Sequence, residues 1–170
     1  MLSFINRFLL FLFSPLRLLE PFKVLSILKV INRLEKDNNY SEAKTLRKSW
    51  LSRIKSKNCA PLWLSEGKYE LNIQKDYKRA LIAFEDAIEA HQKQPLYYGS
   101  VNPLDMLYGA AVCAFMLGKT EKGKEYYKEF EDYYDRFLKN KTLKHFALRH
   151  SEGKKWLQHK LDEETKQPPT

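Results

Sequence analysis

Glycine, proline and cysteine are all scarce in this chain. Its 170 residues include six glycines, seven prolines and two cysteines. A glycine-rich phosphate loop is therefore not expected, and neither a GxGxxG nor a GxxxxGKS/T string occurs. Two cysteines, Cys59 and Cys113, are too few for a disulfide framework or a cysteine zinc site, and they fit a reducing compartment.

The spacing patterns of catalytic and metal-binding side chains are also lacking. His145 and His150 are five residues apart, which places them on different sides of a helix. No pair of histidines has the four-residue spacing of metal ligands on one helix, and no nucleophile stands beside a base. We therefore expect no enzyme activity, no metal and no cofactor.

What the chain does contain is the composition of a folded, helical protein. Hydrophobic residues make up 44% of it and aromatic residues 14%, which is more than a disordered segment carries. No stretch alternates apolar and polar residues between turn signals, as a strand would. The apolar spacing predicts an all-α fold with helices near 22–36, 40–56, 61–74, 77–93, 103–117, 120–138 and 141–163. Pro21, Pro61 and Pro103 are predicted to open helices, the last with Asn102 as its cap.

Positive charge is concentrated in the first third of the chain. The net charge is +9, and residues 1–60 carry twelve Lys or Arg against four Asp or Glu. The same third holds the strongest apolar run. A segment that is both basic and apolar indicates contact with a membrane surface more than with nucleic acid.

Residues 1–21 form an apolar and basic N-terminal arm. The apolar run between Arg7 and Arg17 contains Pro15 and is too short for a spanning helix, which needs about 20 residues. Three interpretations stay open: contact with a membrane, a helix that caps the core or a subunit interface, and a cleaved or spanning segment. In the first two the contacts come from six apolar residues of the arm, Phe4, Phe8, Leu9, Phe11, Leu12 and Phe13.

Three short strings recur in the middle of the chain. They are NNYSEA ending at Ala43, KDYKRA ending at Ala80 and GKTEKG ending at Gly123. Each follows an apolar helical run, ends in a small residue and opens another helix. In the second and third strings the small residue is followed four residues later by Phe84 and Tyr127.

These strings resemble the tetratricopeptide repeat (TPR) family, whose helix-turn-helix unit has a small residue opening its second helix and an aromatic residue one turn later. About three degenerate repeats cover residues 22–138, with larger spacings than the family's 34 residues. In the second unit two registers fit. One uses Leu64, Gly67 and Leu71; the other uses Trp63 and Gly67 and needs one extra residue before Asp76.

The resemblance implies a right-handed solenoid of helix pairs whose first helices line a concave groove for a partner peptide or helix. It divides the chain into the arm (1–21), a repeat domain (22–140), a C-terminal capping helix (141–163) that Gly153 bends, and a tail (164–170). The implied groove residues are Asn32, Tyr69, Ile73, Tyr108, Val112, Phe115 and Met116. The alternative for Phe115 and Met116 is packing against the capping helix. A clamp for a terminal carboxylate is not expected, because Asn32 is the only matching residue.

A basic helix face offers a second candidate site. Lys44, Arg47 and Lys48 share one face of the predicted helix 40–56 and could contact phosphate groups. The alternative is an ordinary solvated face. No signature of a nucleic-acid-binding fold accompanies these residues, so a nucleic-acid partner is not favoured.

The sequence thus predicts a non-enzymatic interaction scaffold of TPR type, cytoplasmic or peripheral at the inner face of a membrane. Its partner is a protein, an anionic membrane surface is a possible second contact, and a homo-oligomer stays open. Two other functions remain as alternatives. One is an immunity, inhibitor or chaperone-like protein that binds one specific protein; the other is a nucleic-acid-binding accessory protein.

Overall fold

The predicted all-α fold is confirmed. The computed structural model describes residues 15–53, 59–93 and 101–166, and the side chains of 23–52, 59–93 and 101–164. Within these ranges the chain forms helices and no strand. The elements are α1 (Pro15–Lys36), α2 (Tyr40–Arg53), α3 (Ala60–Tyr69), a π-helical turn (Glu70–Gln74), α4 (Tyr77–Lys93), α5 (Pro103–Met116), α6 (Thr120–Lys139), α7 (Lys144–Arg149) and α8 (Ser151–Lys166).

The starts of the helices follow their proline and cap residues, with one exception. Pro61 and Pro103 lie in the first turns of α3 and α5, and the Asn102 side chain accepts a hydrogen bond from the Leu104 N–H at 3.1 Å. The prediction that Pro21 opens a helix is wrong. Helix α1 begins at Pro15 and continues through Pro21, so the predicted boundary between arm and repeat domain falls inside one helix.

The C-terminal segment differs from the predicted single helix bent at Gly153. The chain leaves the helix at His150, between α7 and α8, and Gly153 lies inside α8. A Cβ at Gly153 would come within 2.6 Å of the Tyr108 ring of α5. Gly153 therefore allows close packing between two helices, and it does not bend α8.

Three turns between helices share one backbone geometry. Each turn contains one residue with left-handed backbone, and these residues are Asn38, Lys75 and Gly118 with φ of 59°, 56° and 69°. In each case a buried small residue follows five positions later in the next helix. After the first and third, an N–H bonds to the carbonyl five residues earlier (Asn39 to Leu34, Lys119 to Ala114). In the second turn Asp76 bonds to Glu70, six residues earlier. The additional residue is accommodated by the π-helical turn, which holds more residues than an α-helical turn.

Phe84 of α4 packs between α3 and α5. Its ring is buried between Gly67 of α3 and Gly109 of α5, where a Cβ would lie within 2.8 Å and 2.3 Å of the ring. A similar close contact joins Gly123 of α6 to the Phe115 ring of α5. Small residues therefore sit where the helices come closest, because a larger side chain would overlap the opposing ring.

Helices that are consecutive in the chain make the most extensive contacts, as in α3 with α4, α4 with α5 and α5 with α6. Alternate helices also touch, since α1 contacts α3 and α3 contacts α5, and α5 makes a further contact with α8. One face of the molecule is thus built from α1, α3 and α5, with α7 beside them. None of the described helices has the length and apolarity needed to cross a membrane.

The left-handed backbone at Lys75 predicts a stabilising substitution. A Cβ is unfavourable at this φ and glycine is not, so Lys75→Gly should raise the free energy of unfolding by about 0.5–1 kcal/mol. Chemical denaturation measures it. Lys128→Gly, at an exposed position inside α6, is the matched control and should lower stability by about 1 kcal/mol. Loss of stability in both variants would contradict the role assigned to the turn.

Candidate functional site

A groove runs across the face built from the alternate helices. Its larger part is a cavity of about 640 Å³ between α1, α3, the start of α5 and α7. Its smaller part, about 450 Å³, continues along α1 and the π-helical turn. The two parts share Asn32, Glu35 and Lys68, so we treat them as one site and call it the groove.

The lining of the groove is mixed. Its apolar side chains come from all four walls and include Leu25, Leu28, Leu64, Val101, Phe146 and Ile73. Its polar side chains are Asn32, Glu35, Lys36, Tyr40, Ser65, Lys68, Tyr69, Asn72, Asn102, Asp105, Arg149 and His150. A concave surface that combines apolar side chains with placed polar groups is typical of a site that recognises a peptide or small molecule.

Asp105 organises one end of the groove. Lys68 Nζ lies 2.6 Å from Asp105 Oδ2, and His150 Nε2 donates to Asp105 Oδ1 at 2.7 Å. Burial alone raises the pKa of the Asp105 carboxyl, but the hydrogen bonds from His150 and Lys68 outweigh it and lower this pKa to about 2. Asp105 is therefore ionised, and it ties α3, α5 and the end of α7 together through charge-assisted bonds.

Arg47 of α2 links α1 to α3 beneath the groove. The side chain is completely buried and pairs with Glu35 of α1 and, at 3.3 Å, with Glu66 of α3. It also donates to the Ser65 hydroxyl at 3.1 Å and lies over the Tyr69 ring at 4.8 Å. Burial raises the pKa of Glu66, and the Arg47 charge opposes that rise.

The prediction that Lys44, Arg47 and Lys48 form an exposed basic face on the second helix is therefore wrong for Arg47. This residue is buried and pairs with two carboxylates. Lys44 is partly buried and lies 3.8 Å from the carboxylate of the buried Glu70. Only Lys48 of the three is exposed. An arginine that serves an internal ion-pair network cannot contact a phosphate on an outside partner.

The residues predicted to line a groove fall into two groups. Asn32, Tyr69 and Ile73 line the groove, although Tyr69 is buried and contacts Arg47. The remaining four do not line it: Tyr108, Val112 and Phe115 pack into the core formed by α5, α6 and α8, and Met116 is exposed elsewhere. Phe115 is buried in this core, and its ring lies against Gly123 of α6.

Several groove residues were not singled out from the sequence. His150 is 45 residues from Asp105 and Lys68 is 37 residues away, and local spacing gives no sign of pairs so distant. Phe146 and Arg149 reach the groove because the chain leaves the helix at His150. The apolar arm residues Phe4, Phe8, Leu9, Phe11, Leu12 and Phe13 lie outside the described residues.

The side chains that line the groove show no arrangement for metal binding or for nucleophilic catalysis. Among the described residues no group of three or more His, Cys, Asp or Glu is placed to hold a metal ion. The Ser65 hydroxyl is occupied by Arg47, and the Asp105 carboxylate by Lys68 and His150. The chain matches no family model, no curated protein and no solved structure.

Removing the buried arginine should unfold the first two helix pairs. Arg47→Met leaves Glu35 and Glu66 without their cation, and breaking a buried ion pair typically costs about 3–5 kcal/mol. Lys48→Met, one residue along the same helix but exposed, should change the free energy of unfolding by less than about 0.5 kcal/mol. Equal stability of the two variants in urea denaturation would refute this role for Arg47.

Asp105 should make stability depend on pH in acid. Its folded pKa of about 2 lies below its ordinary value of 3.8. Its contribution is therefore present above about pH 4 and is lost as the pH falls towards 2. We expect on the order of 1–2 kcal/mol, after allowance for partial exposure. Asp105→Asn should remove this part of the profile of melting temperature against pH, while Asp132→Asn, an exposed control, should keep it. A profile unchanged in Asp105→Asn would contradict the assignment.

Proposed function

We propose that this protein is an interaction scaffold of TPR type that binds a peptide or helix of a protein partner in the groove. The observation that carries the proposal is the groove itself. It crosses α1, α3, α5 and α7, combines apolar and polar walls, and holds about 640 Å³ in its larger part. These are the features of a surface that accepts an elongated ligand from another protein.

The TPR assignment is supported by recurrence in the backbone. Three left-handed turns stand at equal distances from Ala43, Ala80 and Gly123, the small residues from which the resemblance starts. The π-helical turn before Asp76 supplies the extra residue that the second of the two registers requires. Contacts between alternate helices are what a stack of helix pairs needs in order to bury each unit against the next.

Some charges of the groove are paired inside the protein, whereas Lys36 and Arg149 in its lining are exposed and form no ion pair with a described side chain. Lys68 is neutralised by Asp105, and Glu35 by Arg47, so neither is a free charge for a ligand. The half-exposed Leu25 and Ile73 lie at different parts of the groove and offer apolar contact along its length. A clamp for a terminal carboxylate would need uncompensated cations at the centre, where paired groups lie instead.

The two alternative functions would use different surfaces or partners. An immunity, inhibitor or chaperone-like protein would use the same groove for one specific protein, and the identity of the captured partner would distinguish it from a scaffold. A nucleic-acid-binding accessory protein would rely on the basic helix face, which is weakened by the burial of Arg47. We place the scaffold in the cytoplasm or at the inner face of a membrane.

Site-specific photocrosslinking in the native cell tests the proposal. A photoreactive residue at Ile73, inside the groove, should crosslink to a protein partner, whereas one at Ile82, exposed on α4 outside it, should not give that product. Asn32→Trp fills the part that both cavities share. It should reduce the Ile73 crosslink roughly tenfold or more, which corresponds to about 1.4 kcal/mol of binding free energy.

Met116→Trp is the matched control for this experiment. Met116 is exposed and does not line the groove, so a bulky side chain there should leave the Ile73 crosslink unchanged. Two results would contradict the groove as the binding site. One is identical crosslinked products from Ile73 and Ile82, and the other is an Ile73 crosslink that Asn32→Trp leaves intact.

A further inference from the structure

Helix α1 presents a basic face to solvent. Lys29, Arg33 and Lys36 follow one another on successive turns of this helix and are exposed, and Lys23 is exposed one to two turns before them. None of the four forms an ion pair with a described side chain. Among the described side chains this face therefore carries clustered positive charge without an ion-pair partner, and the exposed carboxylate next to it is Asp37, which follows Lys36.

Several other lysines of the structure are paired. Lys68, Lys122 and Lys154 each have a carboxylate partner from another helix. On α1 the nearby carboxylate of Glu35 points inward to Arg47 and is not available to the face. Cations on neighbouring turns with no counter-charge repel one another, and an anionic surface relieves that repulsion.

Apolar side chains flank the basic row on both sides. Leu25 and Val30 are each 46% exposed, and helical spacing places them on opposite edges of the row formed by Lys29, Arg33 and Lys36. A helix lying in the interfacial plane of a bilayer uses this combination, with cations at the lipid phosphates and apolar groups at the acyl boundary. Nucleic acid would use the cations and leave Leu25 and Val30 in water.

We propose that the exposed face of α1 binds the surface of a membrane that contains anionic phospholipid. We infer a membrane as the partner because its anionic phosphates complement the cations and its acyl boundary accepts the flanking apolar side chains. The composition of residues 1–14 is compatible with an anionic membrane, because this segment contains Arg7 and no acidic residue. The groove lies on the neighbouring side of α1 and shares Leu25 and Lys36 with this face. The two proposals are therefore separated by their readouts, photocrosslinking for the groove and vesicle binding for the basic face.

Sedimentation of the full chain with two kinds of vesicle tests the proposal. One kind is phosphatidylcholine alone and the other is an equal mixture of phosphatidylcholine and phosphatidylserine. The chain should bind the mixed vesicles, and added salt should weaken that binding. The triple variant Lys29→Gln, Arg33→Gln, Lys36→Gln should lose about fivefold in affinity for each neutralised side chain, or roughly a hundredfold in total.

The matched control carries the same change of net charge elsewhere. Lys128→Gln, Lys141→Gln, Lys144→Gln neutralises three exposed lysines near the C-terminal helices and should bind within about twofold of the unmodified chain. Circular dichroism checks that both triple variants keep their helical signal. A second pair, Val30→Asn with Ile82→Asn as control, tests the apolar contribution, and Val30→Asn alone should weaken vesicle binding several-fold.

Four results would overturn the proposal. They are no binding of the unmodified chain to either vesicle, equal binding of both triple variants, a Val30→Asn variant that binds as well as Ile82→Asn, and salt-sensitive binding to a short DNA duplex without binding to vesicles. The last would favour a nucleic-acid partner for the same cations. Equal binding of the triple variants would assign any membrane contact to residues before α1.

Discussion

The buried guanidinium of Arg47 is the interaction on which the first half of the structure depends. It comes from α2 and reaches Glu35 on α1 and Glu66 on α3, so three helices meet at one charge. Glu35 and Ser65 also line the groove, and both contact Arg47. The separation of α1 and α3, which sets the width of the groove, is therefore held by a planar donor that satisfies several acceptors at once.

The second half of the structure depends on close approach between helices. Phe84 fills the space left by two glycines, and Phe115 lies against a third. Such contacts bring helix axes together only where a Cβ is absent, and they leave little freedom for the helices to slide. The C-terminal core and the Asp105 cluster then fix α7 against α5, which closes the end of the groove.

Helix α1 shows how one element can serve three surfaces. Val24 and Ile31 are buried in the core, and Leu28 and Asn32 line the groove. Lys29 and Arg33 face solvent on the remaining side. A helix with a period of 3.6 residues presents these three faces without conflict, because each face takes residues three or four apart. The groove side of α1 is the surface that we propose for a protein partner, and its solvent side is the surface that we propose for an anionic membrane.

The sequence by itself determined what depends on neighbours along the chain. The helical composition, the Asn102 cap and the small residues at Ala43, Ala80 and Gly123 follow from local propensity and spacing, and all lie as expected. Only the tertiary structure decided the rest. Whether Arg47 faces water or the carboxylates of two other helices, and whether His150 meets Asp105, depends on groups distant in sequence whose approach is set by packing. For the same reason the TPR resemblance, which implied a groove position for Phe115 and left packing as the alternative, did not decide between them, whereas the contact of its ring with Gly123 places it in the core.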